Sequence, residues 1–218
     1  MVGKKVTMAV TGAVWVAFVI VHMAGNLKMF SGVRAIDAYA LFLREAGAPV
    51  FGYGELLWAV RIVLLASLVL HITAAAQLTR MSRAARPIGY DTYRTIETTF
   101  AALTMRWSGV LIALFLIFHL LHLSTGVVGF RPGQYVPLAV YHDMVLAFAE
   151  WPITAAYVVA MAALCLHLDH AIWSMLQTVG WSPARRAGAL KALSRIAATA
   201  VFAGFVSVPV AVLAGWVR

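Results

Sequence analysis

The chain has 218 residues, 63% of them hydrophobic and only 11% charged. So little polar surface cannot cover a water-soluble globule of this size, and the composition points to a membrane protein. Seventeen Lys and Arg against eight Asp and Glu give a net charge of +9. The basic residues sit between apolar runs rather than on one face of a soluble domain, so no nucleic-acid partner is expected.

The N-terminal stretch MVGKKVTMAVTG has a charged start and an apolar continuation. No A-x-A-like cleavage site follows its first apolar run, so it reads as a retained first helix. Runs long enough to cross about 30 Å of hydrocarbon, at about 1.5 Å per residue, are expected at roughly 7–29, 54–79, 103–126, 152–178 and 196–217. Residues 1–218 then form a single all-α transmembrane domain. With the N-terminus inside, the inner segments collect Lys4, Lys5, Arg80, Arg83, Arg86, Arg94, Arg106, Arg185, Arg186, Lys191 and Arg195, eleven of the seventeen basic residues. That bias sets the N-terminus inside and the C-terminus outside, with the turn-forming RPGQ and EWP connections at the outer surface. Neither a G-x-G-x-x-G nor a P-loop pattern occurs, so no nucleotide site is expected by motif.

Four of the seven histidines lie inside spans, each flanked by apolar residues: IVHM at His22, VLHI at His71, IFHL at His119 and CLHL at His167. Their spacings are 49, 48 and 48 residues, one histidine for each of the first four spans. An ionisable group inside a span marks function by default. Counted from the cytoplasmic end, His22 and His119 fall about 22 to 24 Å deep, and His71 and His167 about 12 to 16 Å deep. Two pairs at two levels, roughly 10 Å apart, are the arrangement of two stacked bis-histidine haems.

Neutral imidazoles suit Fe, Zn or Cu, but two donors per level without carboxylate or thiolate under-fill a zinc site. A porphyrin supplies the four missing donors. With both axial positions filled, the iron would be suited to electron transfer rather than oxygen binding. The lone cysteine, Cys165, and the lack of a C-x-x-C-H run make any haem b-type and non-covalently held.

His22 is preceded by Thr11-Gly12 and His119 by Ser108-Gly109, at the same offsets of eleven and ten residues. Eleven residues are about three turns, so Thr11 and Ser108 share the interior face with their histidines and fall near the second level. They leave room for a porphyrin and offer hydroxyls to its propionates, although helix packing alone also places small residues at contacts. His122 in HLLH and His170 in HLDH are rival ligands one turn beyond His119 and His167, with His122 approaching the outer surface. His142 reads as a solvated loop residue.

At these residues the sequence resembles the di-haem cytochrome b membrane anchor of five-helix succinate:quinone oxidoreductases, the succinate dehydrogenases and fumarate reductases, over almost the whole chain. The resemblance rests on VIVHMAGN with His22 and Asn26, and on LVLHI with His71. It continues through RWSGVLIALFLIFHLLH, with Arg106, Ser108, Gly109 and His119, to LHLDHAIWSM followed by GWSPARR, with His167 and Trp173-Ser174. It implies two haem b groups, one on His22 and His119 at the outer level and one on His71 and His167 at the inner level. It also implies a flavoprotein and an iron-sulfur subunit docked on the inner face, electron exchange with menaquinone or ubiquinone, and a bacterial cytoplasmic membrane.

No short motif defines a quinone site. Glu55, Trp58 and Arg61 could form an outer pocket, with Arg61 alternatively neutralising a haem propionate, and Trp and Arg are also ordinary interfacial anchors. Arg106, Trp107, Asp169 and His170 are candidates for an inner site. The anchor of another quinone-linked dehydrogenase would keep the haems and change the partners. A histidine-bearing transporter would need acidic partners beside the histidines, and Asp169 alone lies near one.

Overall fold

A computed structural model describes residues 2–85, 100–181 and 183–218, with the side chains of 101–103 and 184 left out of account. Arg86 and Arg94, counted above among the basic residues, lie outside the described residues. The chain forms helices α1 (Val2–Asn26), α2 (Val33–Glu45), α3 (Glu55–Ala84), α4 (Phe100–His119), α5 (Val140–Ala149), α6 (Trp151–Thr178) and α7 (Ala187–Leu213), and no strand occurs among the described residues. Five stretches, built on α1, α3, α4, α6 and α7, are long and apolar enough to cross a membrane, the character of a multi-pass integral membrane protein.

Most of these helices run past the apolar runs that announce them. α1 takes in Lys4 and Lys5, α3 takes in Arg80 and Arg83, and α7 starts at Ala187 rather than near 196, taking in Lys191 and Arg195. The main-chain hydrogen-bond ladder does not stop where the hydrocarbon does, and Lys and Arg are good helix formers. At its other end α7 stops at Leu213, short of the expected 217, as the chain turns through Gly215 at φ 74°. α4 continues beyond His119 as a π-helical turn, Leu120–Ser124.

α6 and α7 are the centre of the bundle: 28% and 33% of their most apolar windows are buried in protein, against 11% for the spans of α1, α3 and α4. α3 packs chiefly on α1, and α4 chiefly on α6, while α1 meets α6 and α7. Lys4 Nζ lies 3.7 Å from Met81 Sδ, which puts the start of α1 beside the end of α3 at what we call the basic end.

The opposite end is closed by two helices that the apolar runs do not announce. α2 is amphipathic and packs on α5, and α5 also packs on α6 and α7. Gly25 of α1 lets Tyr39 of α2 approach, since a Cβ there would lie 2.6 Å from the Tyr39 ring. Asp37 Oδ1 accepts a hydrogen bond from the Tyr141 N–H at 3.0 Å, and Asp143 Oδ1 accepts one from Val136 at the same distance. The main apolar core lies at this α2 end, where Met29, Ile36, Met144, Phe148, Tyr157 and Val208 come together.

Candidate functional site

Helix pairing brings the four span histidines together two by two. The ring centroids of His22 on α1 and His119 on α4 are 5.9 Å apart with planes at 79°. Those of His71 on α3 and His167 on α6 are 6.5 Å apart with planes at 56°. Two imidazoles that share one metal ion through nitrogens about 2 Å from it have centroids about 6 Å apart, so both separations would suit one shared metal ion. Among the described residues no group of three or more His, Cys, Asp or Glu side chains converges as a metal site. Among the described residues each pair therefore offers two such donors.

The second nitrogen of each lower-pair histidine is engaged. Thr11 Oγ1 donates to the Thr7 carbonyl at 2.7 Å, so its single hydrogen is used and its 3.1 Å contact with His71 Nδ1 is one it accepts. Ser108 Oγ likewise donates to the Met105 carbonyl at 3.1 Å and accepts from His167 Nδ1 at 3.3 Å. With the proton assigned to Nδ1 in both rings, Nε2 is left as the free metal donor, the arrangement metal-binding histidines adopt. Thr11 and Ser108 thus hold imidazoles, a role the sequence reading did not give them.

The symmetry goes deeper than the four histidines. Thr7, Met8, Gly12, Phe18, Ile20 and His22 recur as Thr104, Met105, Gly109, Phe115, Ile117 and His119, a constant offset of 97. A Cβ on Gly12 would lie 3.5 Å from His71 Cε1, and one on Gly109 would lie 3.5 Å from His167 Cε1. Phe18 stacks on His22 with centroids 5.3 Å apart, and Phe115 stacks on His119 at 5.9 Å. The chain is an internal repeat in which α1 with α3 corresponds to α4 with α6.

Because Thr11 is hydrogen-bonded to His71, the lower pair stands at the height of Thr11. Eleven residues separate Thr11 from His22, about 16 Å of helix, more than the roughly 10 Å counted from span ends. That counting treated all spans as starting at one height, whereas the helices start at different distances beyond their apolar runs.

The upper pair breaks the symmetry. Tyr157 Oη lies 3.2 Å from His119 Nδ1 and 3.0 Å from His122 Nδ1. His122 is fully buried rather than approaching a surface, with its ring between Phe118 and Phe130 at 5.2 and 5.1 Å. Among the described residues its Nε2 has no hydrogen-bond partner. Gly129, at φ 83°, closes over it, and a Cβ there would come within 2.8 Å of Nε2. The π-helical turn after His119 carries His122 to the same phenol, in keeping with the frequent occurrence of such turns at functional sites.

The remaining candidates are more dispersed. Glu55 Oε2 accepts from the Gly52 N–H at 3.0 Å, and Arg61 stacks over Trp58 at 4.9 Å, all three side chains being exposed. Arg106 and Trp107 are exposed near the start of α4, while Asp169 and His170 are half-buried one turn towards the basic end from His167. His142, half-exposed, lies 3.1 Å from Asp143. Trp15, between the two levels of α1, has a buried Nε1 without a hydrogen-bond partner among the described residues. No protein-family model, curated protein or solved structure matches the chain.

Proposed function

We propose that the chain is a di-haem cytochrome b, the membrane anchor and electron-transfer subunit of a succinate:quinone oxidoreductase. The observation that carries the haem reading is the pair of neighbouring imidazoles at each of two heights, at a separation that would suit one shared metal ion, with Nδ1 held by Thr11 in His71 and by Ser108 in His167. His22 with His119, and His71 with His167, would hold the two haems. A haem held by these histidines would supply one-electron transfer.

What the chain itself contributes is orientation and exclusion of water. Gly12 and Gly109 leave space beside the lower imidazoles, Phe18 and Phe115 hold the upper ones by stacking, and the packed α2 end shields His119. In the proposed orientation the basic end faces the cytoplasm and the α2 end faces outward, following the positive-inside bias. The motif resemblance supplies the partners: a flavoprotein and an iron-sulfur subunit on the inner face, and membrane quinone as the other electron carrier. A bacterial cytoplasmic membrane is the setting in which such a complex operates.

The test is the reduced-minus-oxidised spectrum and pyridine haemochrome stoichiometry of the complex purified from membranes, with succinate added before dithionite. Two b haems per chain, at least one reduced by succinate, support the assignment. Two haems indifferent to succinate would move the chain to the anchor of another dehydrogenase, and no haem would overturn the reading.

A further inference from the structure

The hydrogen-bond network above His119 differs in kind from those at His71 and His167. A phenol has one hydrogen and an oxygen that accepts. Tyr157 Oη stands between two Nδ1 atoms, at 3.2 Å from His119 and 3.0 Å from His122, and can donate to only one of them. If both rings carried their proton on Nδ1, both would donate to the phenol. Its own hydrogen would then be buried without an acceptor, and the His122 Nε2 lone pair would be unmatched as well. If Tyr157 donates to His122 and accepts from His119, both contacts are matched and the Nε2–H of His122 alone is left over. Buried polar groups without partners are costly, so the second arrangement wins. Donation in the opposite sense would match both contacts too, but it would put the proton of His119 on Nε2, the nitrogen the proposed metal needs.

We propose that Tyr157 and His122 form a two-step hydrogen-bond relay that holds the proton of His119 on Nδ1 and sets the electron affinity of the α1–α4 centre. The proposal rests on the haem reading above and deepens it. A phenol that donates its own hydrogen is polarised and accepts more strongly. It therefore draws on the His119 N–H, makes that imidazole a more basic ligand, and favours the oxidised metal. His122 is the base that orients the phenol. Its ring is clamped by Phe118 and Phe130 and roofed by Gly129, so it cannot turn away. Tyr157 and His122 are positioning residues, since each acts through His119.

The experiment is a redox titration, with haem count from the reduced-minus-oxidised spectrum, on the full chain purified from membranes with its associated subunits. The variants are Tyr157→Phe, His122→Phe and His122→Gln. His22→Ala identifies the α1–α4 centre by the haem it removes. Tyr157→Phe is expected to keep both haems and to raise the midpoint potential of that centre by about 59 mV, a tenfold change in a one-electron equilibrium, leaving the His71–His167 centre unmoved. His122→Phe is expected to raise it by less. His122→Gln, whose side-chain oxygen can accept from Tyr157, should restore it. Unchanged potentials with both haems present would overturn the relay alone, as would equal shifts in both centres, the signature of general loosening. Should Tyr157→Phe fail to assemble, His122→Phe decides, because it leaves the phenol in place. A wild-type chain without haem would overturn the relay and the haem reading together.

Discussion

Thr11 and His71 come from different helices, yet 3.1 Å separates the hydroxyl of one from the Nδ1 of the other. Because the hydroxyl's hydrogen is taken by the Thr7 carbonyl, this contact dictates where His71 keeps its proton. Thr11→Val, nearly isosteric, removes the acceptor and frees the imidazole to turn. Partners of this kind are worth about 10–100-fold in metal affinity, so the haem proposed for His71 should be lost on dilution while the other stays. Thr11→Ser should retain both. Haem-to-protein ratio before and after gel filtration checks it.

Gly12 gives a graded test of the space beside that imidazole. A Cβ would sit at 3.5 Å from His71 Cε1, ordinary contact distance, so Gly12→Ala should keep both haems. Gly12→Leu adds bulk that has to displace the ring, and should abolish the same haem. The internal repeat predicts the same contrast for Gly109, which faces His167 at the same distance. Absorbance of the reduced protein reads both pairs of variants.

Gly25 lets α2 pack closely on α1. In Gly25→Ala the new methyl would lie 2.6 Å from the Tyr39 ring, forcing α2 away from α1. Overpacking of this kind costs about 1–3 kcal/mol. Thermal unfolding in detergent should show the loss, and Tyr39→Ala in the same background should recover part of it.

Tyr135 lies in the connection before α5 and donates to the Ser124 carbonyl at 3.1 Å. Burial, and then the neighbouring Asp143, push its phenol above its usual value, with Arg44 offsetting part of the effect. The folded chain therefore holds the proton more tightly than the unfolded one. Stability from this group is intact below about pH 10 and is lost as pH rises from there through the raised folded value. Tyr135→Phe should flatten that alkaline decline while costing about 1 kcal/mol at neutral pH for the lost hydrogen bond. Unfolding midpoints across the alkaline range would check both.

The five long apolar helices were legible in the sequence because hydrocarbon tolerates so few polar residues that composition alone marks a span. Their ends were not, since Lys4, Lys5, Lys191 and Arg195 stay helical beyond the apolar runs. α2 and α5 escaped notice for a related reason: Val33–Glu45 is amphipathic and Val140–Ala149 is too short to span, so neither stands out in a scan for long greasy runs. At the candidate site, the even spacing of four histidines was visible. Tyr157 was not, although one signal was present: it precedes His167 by ten residues, as Arg61 precedes His71. The burial of His122 depends on Gly129 and Phe130 folding back over it, a tertiary event with no local mark.

The internal repeat has a consequence for biogenesis. Each histidine pair takes one member from the first half of the chain and one from the second: α1 reaches to α4, and α3 reaches to α6. A nascent chain that has released only α1 and α3 into the bilayer owns two histidines that have no partner. The His22–His119 pair can close once α4 arrives, while the His71–His167 pair waits for α6. The His22–His119 pair is therefore complete in the chain before the His71–His167 pair, and neither half of the chain holds a whole pair by itself.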